Sequence, residues 1–383
     1  MPGKKLVLFG AGMTGRGQVA QLAYESGWQL TLVDRDAALV ELLRGAGSYT
    51  VHLLSETGAR DVVVSGYQAL HTAEAEAIAA AVREADLVIT SVLEPNLASV
   101  AETLAPALAA RLAANDRPLN IIAAENMMNS SEALGAFIAA RFSPRQRRAA
   151  EGRLGFPNSM IARVVPVAQD PLVIPGEEFS EWTADVTTAV GELPHIRGLE
   201  WVSNQAARLQ RKLFIHNTGH AVCGYAGWLA GYRYIHEAAQ DPAIMAHITR
   251  AIAESGAAVA AEHGFDGPSI RAYEENLKGR LVIDALPDDL RRVIRQPLRK
   301  LGPQERLLGP TLLCKQHGLP RAGLCWGIAA VLACRMPGDE QFEQIAATVD
   351  RLGPLAALTD LVGYQPSPEG SALIAEAYAE LRP

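Results

Sequence analysis

The segment 212–220, KLFIHNTGH, concentrates side chains that can move a proton or bind a metal. At about 100° per residue on an α-helix, Lys212, His216, Asn217 and His220 share one broad face. His216 and His220 are four residues apart, a spacing at which two imidazoles can share a zinc ion. The same face also suits a metal-free transfer of a hydroxyl proton to Lys212. The spacing alone leaves both chemistries open.

The zinc hypothesis needs more ligands than this segment supplies. A catalytic zinc usually takes a third His, Cys or carboxylate, and the metalloprotease helix carries Glu directly after its first histidine. That position is Asn217 here, and the further candidates, in CKQH (314–317), would have to approach in space. We therefore predict no metal.

The metal-free hypothesis is alcohol oxidation coupled to hydride transfer. It needs a base for the hydroxyl proton and donors that stabilise negative charge on the oxygen. A lysine base must have its pKa lowered by burial or by a nearby cation, and Arg208, one helical turn earlier, is a candidate. Asn217 can donate its amide to the alkoxide. Each of these residues, taken alone, is also typical of a polar helix face at a domain boundary.

A glycine turn near the N-terminus predicts a dinucleotide site. The apolar run KLVLF (5–9) leads into GAGMTGRG, in which Gly10, Gly12 and Gly15 fit G-x-G-x-x-G and enclose Met13 and Thr14. The glycines permit a tight turn and close approach of the backbone to a pyrophosphate. A flavin site or a plain structural turn are the alternatives.

An acidic residue at the end of the next strand favours NAD. Asp34 closes QLTLVD, where a carboxylate accepts hydrogen bonds from ribose hydroxyls and repels a 2′-phosphate. Arg35 beside it weakens that preference slightly.

Further strands alternate with helices along the first half of the chain. The apolar runs 85–93 and 119–125 follow Ala-rich helical stretches at 73–84 and 98–114. This predicts an α/β fold with a doubly wound, mostly parallel sheet of the Rossmann type. Ligands bind at the carboxyl ends of such strands. The predicted cofactor residues at these ends are Ser91, Glu125 and Asn126.

The second half of the chain has a different character. We place a boundary near residue 195, giving an NAD-binding domain over 1–195 and a mainly α-helical substrate-binding domain over 196–383. The predicted helices of the second domain are 203–264, 267–280, 288–300, 321–335 and 340–359.

Composition limits the class of protein. The chain has 383 residues and a net charge of -7, which argues against nucleic-acid binding. Its four cysteines form no C-x-x-C pair and are typical of buried thiols in a reducing cytoplasm. The longest apolar run, 323–334, is shorter than the roughly 20 residues that span a bilayer. We predict a cytoplasmic protein with no membrane segment.

The motif K-x4-N-x2-H, formed by Lys212, Asn217 and His220, resembles the signature of the polyol-specific long-chain dehydrogenases. Nearly the whole chain resembles one branch of that family, in order. The matching segments are FGAGMTGRG (9–17), SYTVHLL (48–54), LNIIAAENM (119–127), FSEWTAD (179–185), KLFIHNTGHA (212–221) and RQPLRKL (295–301).

The resemblance implies roles for individual residues. The family is zinc-independent, and Lys212 would be the general base in polyol oxidation and the acid in ketose reduction. Asn217 would polarise the reacting oxygen, while His220 would orient Lys212 or bind a substrate hydroxyl. Asn158, in a segment GFPNS (155–159) that matches the family's FPNS, would complete the oxyanion-stabilising pair.

Two departures from the family pattern concern charged residues. Ala162 replaces an acid that usually follows the FPNS segment, and the acid that some members carry shortly before the lysine is missing from RLQRK. His216 stands where we expect an apolar or small residue. We hypothesise that it binds substrate or replaces the missing carboxylate in a proton relay.

A basic stretch, 291–306, stands out in an otherwise acidic protein. Charge alone favours a solvated helix face, but the resemblance of RQPLRKL implies phosphate binding by Arg295, Arg299 and Lys300. Pro297 is expected to break the helix between them.

The resemblance implies NAD-dependent interconversion of D-mannitol 1-phosphate and D-fructose 6-phosphate by a monomer. A non-phosphorylated polyol or hexonate oxidoreductase and a non-catalytic nucleotide-sensing protein are the alternatives. The intact set of Lys212, Asn217 and His220 argues against the non-catalytic protein.

Overall fold

The computed structural model describes residues 3–55, 58–125, 129–166, 168–284 and 288–381. The chain divides into two compact units, Met1–Arg208 and Leu209–Pro383. The boundary therefore falls after the predicted residue 195, because a strand over Leu199–Val202 pairs within the first unit. The predicted cofactor residue Asn126 lies outside the described residues.

The strands that the structure describes all lie in the first unit. They are β1 (Lys5–Phe9), β2 (Gln29–Asp34), β3 (Ser48–Ser55), β4 (Gly58–Ser65), β5 (Gln68–His71), β6 (Leu87–Thr90), β7 (Leu119–Ala123), β8 (Leu154–Gly155), β9 (Ser159–Ala162), β10 (Val173–Glu177), β11 (Glu181–Asp185) and β12 (Leu199–Val202).

Six of these strands form a parallel sheet in the order β5-β2-β1-β6-β7-β8. The order reverses between β1 and β6, so a crevice opens there at the carboxyl ends of the strands. β1 is buried on both faces: Leu6 and Leu8 belong to one apolar cluster, and Val7 and Phe9 to another. Because both faces are buried, the strands of such a sheet are continuous apolar runs in the sequence. The predicted Rossmann-type sheet is confirmed.

Helices cover the sheet. They are α1 (Gln21–Glu25), α2 (Ala37–Ala46), α3 (Ala75–Glu84), α4 (Leu97–Ala114), α5 (Ser130–Arg141) and α6 (Pro144–Ala150), with α7 (Gln205–Arg211) at the boundary between the units. A π-helical segment, Gly15–Ala20, precedes α1. Short 3-10 turns occupy Glu94–Asn96 and Val186–Thr188.

One helical segment, Glu94–Ala114, is long and apolar enough to cross a membrane by length and composition. It contains Arg111, which is buried and donates hydrogen bonds to the carbonyls of Val82, Arg83 and Ala85. The segment packs on α3 and α5 and has the contacts of a core helix.

Two smaller sheets complete the first unit, and no pattern in the sequence predicts them. β3 pairs antiparallel with β4 and parallel with β10. β11 pairs antiparallel with β9 and parallel with β12.

The second unit is helical in the part that the structure describes. Its helices are α8 (Asn217–Leu229), α9 (Ile235–Gln240), α10 (Pro242–His263), α11 (Gly267–Leu281), α12 (Leu290–Ile294), α13 (Pro297–Lys300), α14 (Leu308–Gln316), α15 (Ala322–Ala333), α16 (Glu340–Leu352), α17 (Pro354–Val362) and α18 (Pro368–Leu381). A π-helical turn, Lys212–His216, connects α7 to α8.

Two of the predicted long helices are wrong as single helices. The stretch 203–264 is interrupted at Gly231, which has φ 84°, and resumes as α9 at Ile235. It is interrupted again at Asp241, whose side chain caps α10 ahead of Pro242. The stretch 340–359 is interrupted at Gly353, which has φ 80°. The predicted break at Pro297 is confirmed, since α12 ends at Ile294 and α13 begins at Pro297.

The four cysteines are free and buried in the second unit. Burial raises the pKa of Cys223, Cys314 and Cys325 to about 12. They are therefore protonated packing residues, as the sequence predicted.

Candidate active site

The glycine turn is built by close contacts of its backbone. Gly10 has φ 94°, and a Cβ atom added there would lie 2.2 Å from the carbonyl oxygen of Ser91. A Cβ on Gly15 would lie 2.1 Å from the carbonyl oxygen of Gly10. At Gly12 an added Cβ would meet nothing within 4 Å. The first and third glycines thus pack the turn, and the second leaves an open side for a ligand.

Asp34 lies at the end of β2, next to this turn. Its Oδ2 accepts from the backbone N–H of Ala11 at 2.7 Å, and its Oδ1 accepts from that of Asp36 at 2.9 Å. These bonds fix the carboxylate beside the glycine turn, and each oxygen keeps a lone pair for a ribose hydroxyl. Met13 and Thr14 are half-buried on the same turn. The residues present therefore fit a dinucleotide.

Arg16 holds the glycine turn in place, a role that the sequence did not predict. It is buried, and its guanidinium donates to the carbonyl oxygens of Ala11 and Pro171, each at 2.6 Å. It also lies over the ring of Tyr49, 5.3 Å from the centroid. Burial lowers the pKa of Arg16 from its usual value.

The loop after β6 is held by Glu125 from the end of β7. One oxygen of Glu125 accepts from Thr90 Oγ1 at 3.1 Å and from the N–H of Val92 at 2.9 Å. The other accepts from the N–H of Leu93 at 2.9 Å. Ser91 lies in the same loop, against Gly10. Glu125 therefore contacts the loop that borders the crevice.

Asn158 caps a helix. Its Oδ1 accepts from the backbone N–H groups of Ser131 and Glu132, at 3.2 and 3.3 Å, in the first turn of α5. Two N–H donors fix which end of the amide faces the helix. The Nδ2 donor consequently faces away from the first turn of α5.

The π-turn carries the predicted proton-transfer residues of the second unit. The N–H of Asn217 donates to the carbonyl oxygen of Lys212, five residues earlier. The rotation of 100° per residue therefore does not hold over this turn. Lys212 and His216 are buried, at 6% and 8% exposure, and the rings of His216 and His220 lie 4.8 Å apart. The two histidines do share one face.

Cations surround these histidines. The Nη1 atom of Arg280, at the end of α11, lies 3.4 Å from Nδ1 of His216. Burial lowers the pKa of His216 well below its usual value. Four neighbouring groups lower that pKa further: Arg280, His220, Lys212 and Arg306.

His220 is neutral as well. Burial lowers its pKa to about 4, and the nearby carboxylate of Asp288 opposes the shift. Three arginines add to the lowering of that pKa: Arg280, Arg292 and Arg306. The Nδ1 atom of His220 is buried and has no hydrogen-bond partner among the described residues. A substrate hydroxyl would satisfy it.

The other possible zinc ligands point elsewhere. Cys314 donates to the carbonyl oxygen of Glu254, and His317 pairs with Glu262 at 2.7 Å. Within the described ranges, no group of three or more His, Cys, Asp or Glu side chains is placed to hold a metal ion.

The basic stretch reaches α8 through its last arginine. Thr218 Oγ1 donates to the carbonyl oxygen of Arg306 at 2.5 Å. Arg306 is mostly buried and pairs with Glu305, which also accepts from Arg299 at 2.6 Å. Arg295 is exposed.

Lys300 is the buried member of the stretch. It donates to the carbonyl oxygen of Val293. Burial lowers its pKa to about 7, and Arg306, Arg299 and Arg295 lower that pKa further. A cationic cluster is therefore formed by Arg295, Arg299, Lys300 and Arg306, with Glu305 as a counter-charge. It lies beside the face shared by His216 and His220, here called the histidine face, on which Arg306 and Arg280 both act. Arg280 and Arg306 were not predicted as site residues.

The first unit, with its glycine turn and reversing parallel sheet, is a Rossmann-type dinucleotide-binding domain, and a helical domain follows it in the chain. Two family models match: the mannitol dehydrogenase Rossmann domain over residues 4–198, and the mannitol dehydrogenase C-terminal domain over residues 207–365. The chain belongs to the mannitol dehydrogenase family.

One relative and two solved structures are similar to nearly the whole chain. The chain is 39% identical over 349 residues to a mannitol-1-phosphate 5-dehydrogenase of Brevibacillus brevis, covering 91% of this chain and 90% of the relative. A substrate-free D-sorbitol dehydrogenase structure has a TM-score of 0.79 at 17% identity, covering 98% of this chain and 92% of that one. A Pseudomonas fluorescens mannitol 2-dehydrogenase complex with NAD and D-mannitol has a TM-score of 0.74 at 19% identity. The match covers 99% of this chain and 92% of that one. At these identities the structures show the shared fold.

Proposed function

We propose that this protein is an NAD-dependent dehydrogenase that interconverts D-mannitol 1-phosphate and D-fructose 6-phosphate. The observation that carries the proposal is the 39% identity to a mannitol-1-phosphate 5-dehydrogenase over 91% of the chain. The buried Lys212 and the two neutral histidines beside it are consistent with metal-independent proton transfer.

The dinucleotide would bind along the glycine turn, with its ribose hydroxyls on Asp34. NAD supplies the hydride acceptor in oxidation, and NADH the donor in reduction. Lys212 removes the hydroxyl proton during oxidation and returns it during reduction. The amides of Asn217 and Asn158 donate to the reacting oxygen and stabilise its negative charge. His220 offers its buried Nδ1 to a substrate hydroxyl.

The phosphate would bind to the cationic cluster beside the histidine face. Guanidinium forks suit phosphate oxygens, and a partly desolvated cluster strengthens the attraction. We propose that Arg280 and Arg306 contribute, together with the predicted Arg295, Arg299 and Lys300. His216 then serves to position Arg280.

A spectrophotometric assay of NADH oxidation tests the proposal. Fructose 6-phosphate should be reduced with saturation kinetics, and free fructose should be reduced with a far lower kcat/KM. Mannonate and altronate, assayed as oxidation by NAD, should also react with a far lower kcat/KM. Equal kcat/KM for fructose and fructose 6-phosphate would refute the phosphate assignment. Absence of NADH binding would refute the cofactor assignment.

We further propose that the protein is a cytoplasmic monomer with no nucleic-acid or membrane partner. Light scattering coupled to gel filtration gives its mass in solution. A mass well above the 40.9 kDa of one chain would overturn the monomer.

A further inference from the structure

Leu93 combines two unfavourable features. It is an exposed leucine, at 74% of its full accessible surface, and its backbone has φ 72° and ψ 144°. That conformation lies outside the left-handed helical region and is close to one that only glycine adopts readily. The other non-glycine residues with positive φ in the described ranges, Asn129 and Gln296, lie in the ordinary left-handed region.

The surrounding structure forces this conformation. Glu125, itself only 5% exposed, accepts the N–H groups of both Val92 and Leu93. A buried carboxylate that binds two consecutive N–H groups fixes the backbone between them. Because Leu93 is exposed, burial of its side chain in the protein does not compensate for the strain.

The loop lies next to the predicted dinucleotide site. Ser91 and Val92 contact Gly10 so closely that a Cβ added there would lie 2.8 Å from Cγ1 of Val92. At the other end of the loop, Asn96 accepts a hydrogen bond from Arg35 at 3.0 Å. Arg35 directly follows Asp34, the predicted ribose ligand. The loop therefore extends towards the adenosine end of that site.

We propose that Leu93 is an apolar contact for the adenine ring of the bound dinucleotide, and that Glu125 is a positioning residue that holds it there. This inference rests on the proposed cofactor. Glu125 was predicted to bind the cofactor directly. In this proposal it acts on the cofactor only through Leu93. Bound adenine would cover the exposed leucine, and binding would thereby offset the cost of the strained backbone.

Binding measurements on three variants test the contact. Leu93→Ala should weaken the binding of NADH and of ADP-ribose by the same factor, about three- to tenfold. The control Leu42→Ala, at a leucine exposed to 39% on α2, should bind both ligands as the wild type does. Leu93→Gly should weaken binding like Leu93→Ala. Unchanged binding of ADP-ribose by Leu93→Ala would overturn the proposal.

Thermal unfolding of the ligand-free protein tests the strain and the clamp. Leu93→Gly should unfold at a temperature about 2 to 4 °C higher than Leu93→Ala, because glycine adopts this backbone without strain. Glu125→Gln should lower the unfolding temperature less in the wild-type background than in the Leu93→Gly background, because in the wild type the loss of the clamp also relieves the strain at Leu93. Additive effects of the two substitutions would overturn the role of Glu125.

Steady-state kinetics separate positioning from a general structural effect. Glu125→Gln should raise KM for NAD about tenfold and leave KM for the sugar phosphate unchanged. An equal rise in both constants would indicate general damage and overturn the proposal. Wild-type protein that binds neither NADH nor ADP-ribose would refute the proposed function, whereas binding that Leu93→Ala retains in full refutes this inference alone.

Discussion

The Nδ1 atom of His216 accepts a hydrogen bond from Nη1 of Arg280 at 3.4 Å. A guanidinium can only donate, so the proton of the neutral imidazole lies on Nε2. Burial and the neighbouring cations hold the pKa of His216 well below its usual value. A proton relay through His216 would require Nδ1 to release Arg280. The geometry favours His216 as a positioning residue for Arg280.

Acid should destabilise the protein through these histidines. Their pKa values are lowered in the folded state, to about 4 for His220, whereas the unfolded chain binds protons below about pH 6.5. Stability is therefore intact above pH 6.5 and falls as the pH drops towards 4, by about 1.4 kcal/mol per pH unit for each histidine. Between pH 7.5 and pH 5, the free energy of unfolding, measured with urea, should fall less in His216→Leu than in the wild type. The same pH dependence in both proteins would contradict the assignment.

Substitution of Lys212 should abolish turnover and spare cofactor binding. A positioned acid or base contributes about 10²- to 10⁴-fold, so we expect Lys212→Ala to lower kcat by about that factor. NADH binding, followed by fluorescence, should stay within twofold of the wild type. Lys315→Ala, at an exposed lysine of α14, is the matched control and should keep full activity. Turnover that survives both Lys212→Ala and Asn217→Ala would refute the site.

Chelators should leave activity unchanged. Positive charges of Arg280 and Arg306 act on His216, and like charges at this range repel a divalent cation. Activity measured after incubation with a strong chelator, and after dialysis into metal-free buffer, should match that of untreated enzyme. Loss of activity that zinc restores would revive the zinc hypothesis.

The main sheet could be predicted because its strands are buried on both faces and its first turn is rich in glycine. The small sheets could not. β4 has exposed and charged residues over much of its length, and β3 also pairs with β10 from far along the chain. Such pairing leaves no local periodic signal.

Only one part of the candidate site has a signal in the sequence. Lys212, Asn217 and His220 are close in sequence, so their spacing indicates a common face. Arg280 lies 64 residues after His216, and only the packed second unit brings the two together. The π-turn was also not predicted, because it lengthens the spacing of backbone hydrogen bonds by one residue and has no distinct composition.

Two substitutions at Asn158 should separate its capping from its catalytic role. Asn158→Asp keeps an oxygen for the N–H groups of Ser131 and Glu132, and its charge favours a helix N-terminus. It loses the amide donor, so we expect unchanged or higher thermal stability and a fall in kcat of about 10²- to 10³-fold. Asn158→Ala should lose activity and about 1 kcal/mol of stability. Full activity in Asn158→Asp would remove Asn158 from the oxyanion site.

Arginine substitutions should separate phosphate binding from catalysis. A hydrogen bond between a charged pair contributes about 1.5 to 3 kcal/mol, so Arg280→Met should raise KM for fructose 6-phosphate about 10- to 100-fold. Arg295→Met should have a smaller effect, because Arg295 is exposed. The slow reaction of free fructose should change little in either variant, because it lacks the phosphate.

The control for this series is Arg291→Met in the same basic stretch. Arg291 is exposed and lies over the ring of Trp228, 5.6 Å from its centroid, so its loss should leave both substrates unaffected. If Arg280→Met impairs fructose and fructose 6-phosphate by the same factor, Arg280 supports the histidine face and the phosphate binds elsewhere. If only the phosphorylated substrate suffers, the cationic cluster determines the specificity of the enzyme.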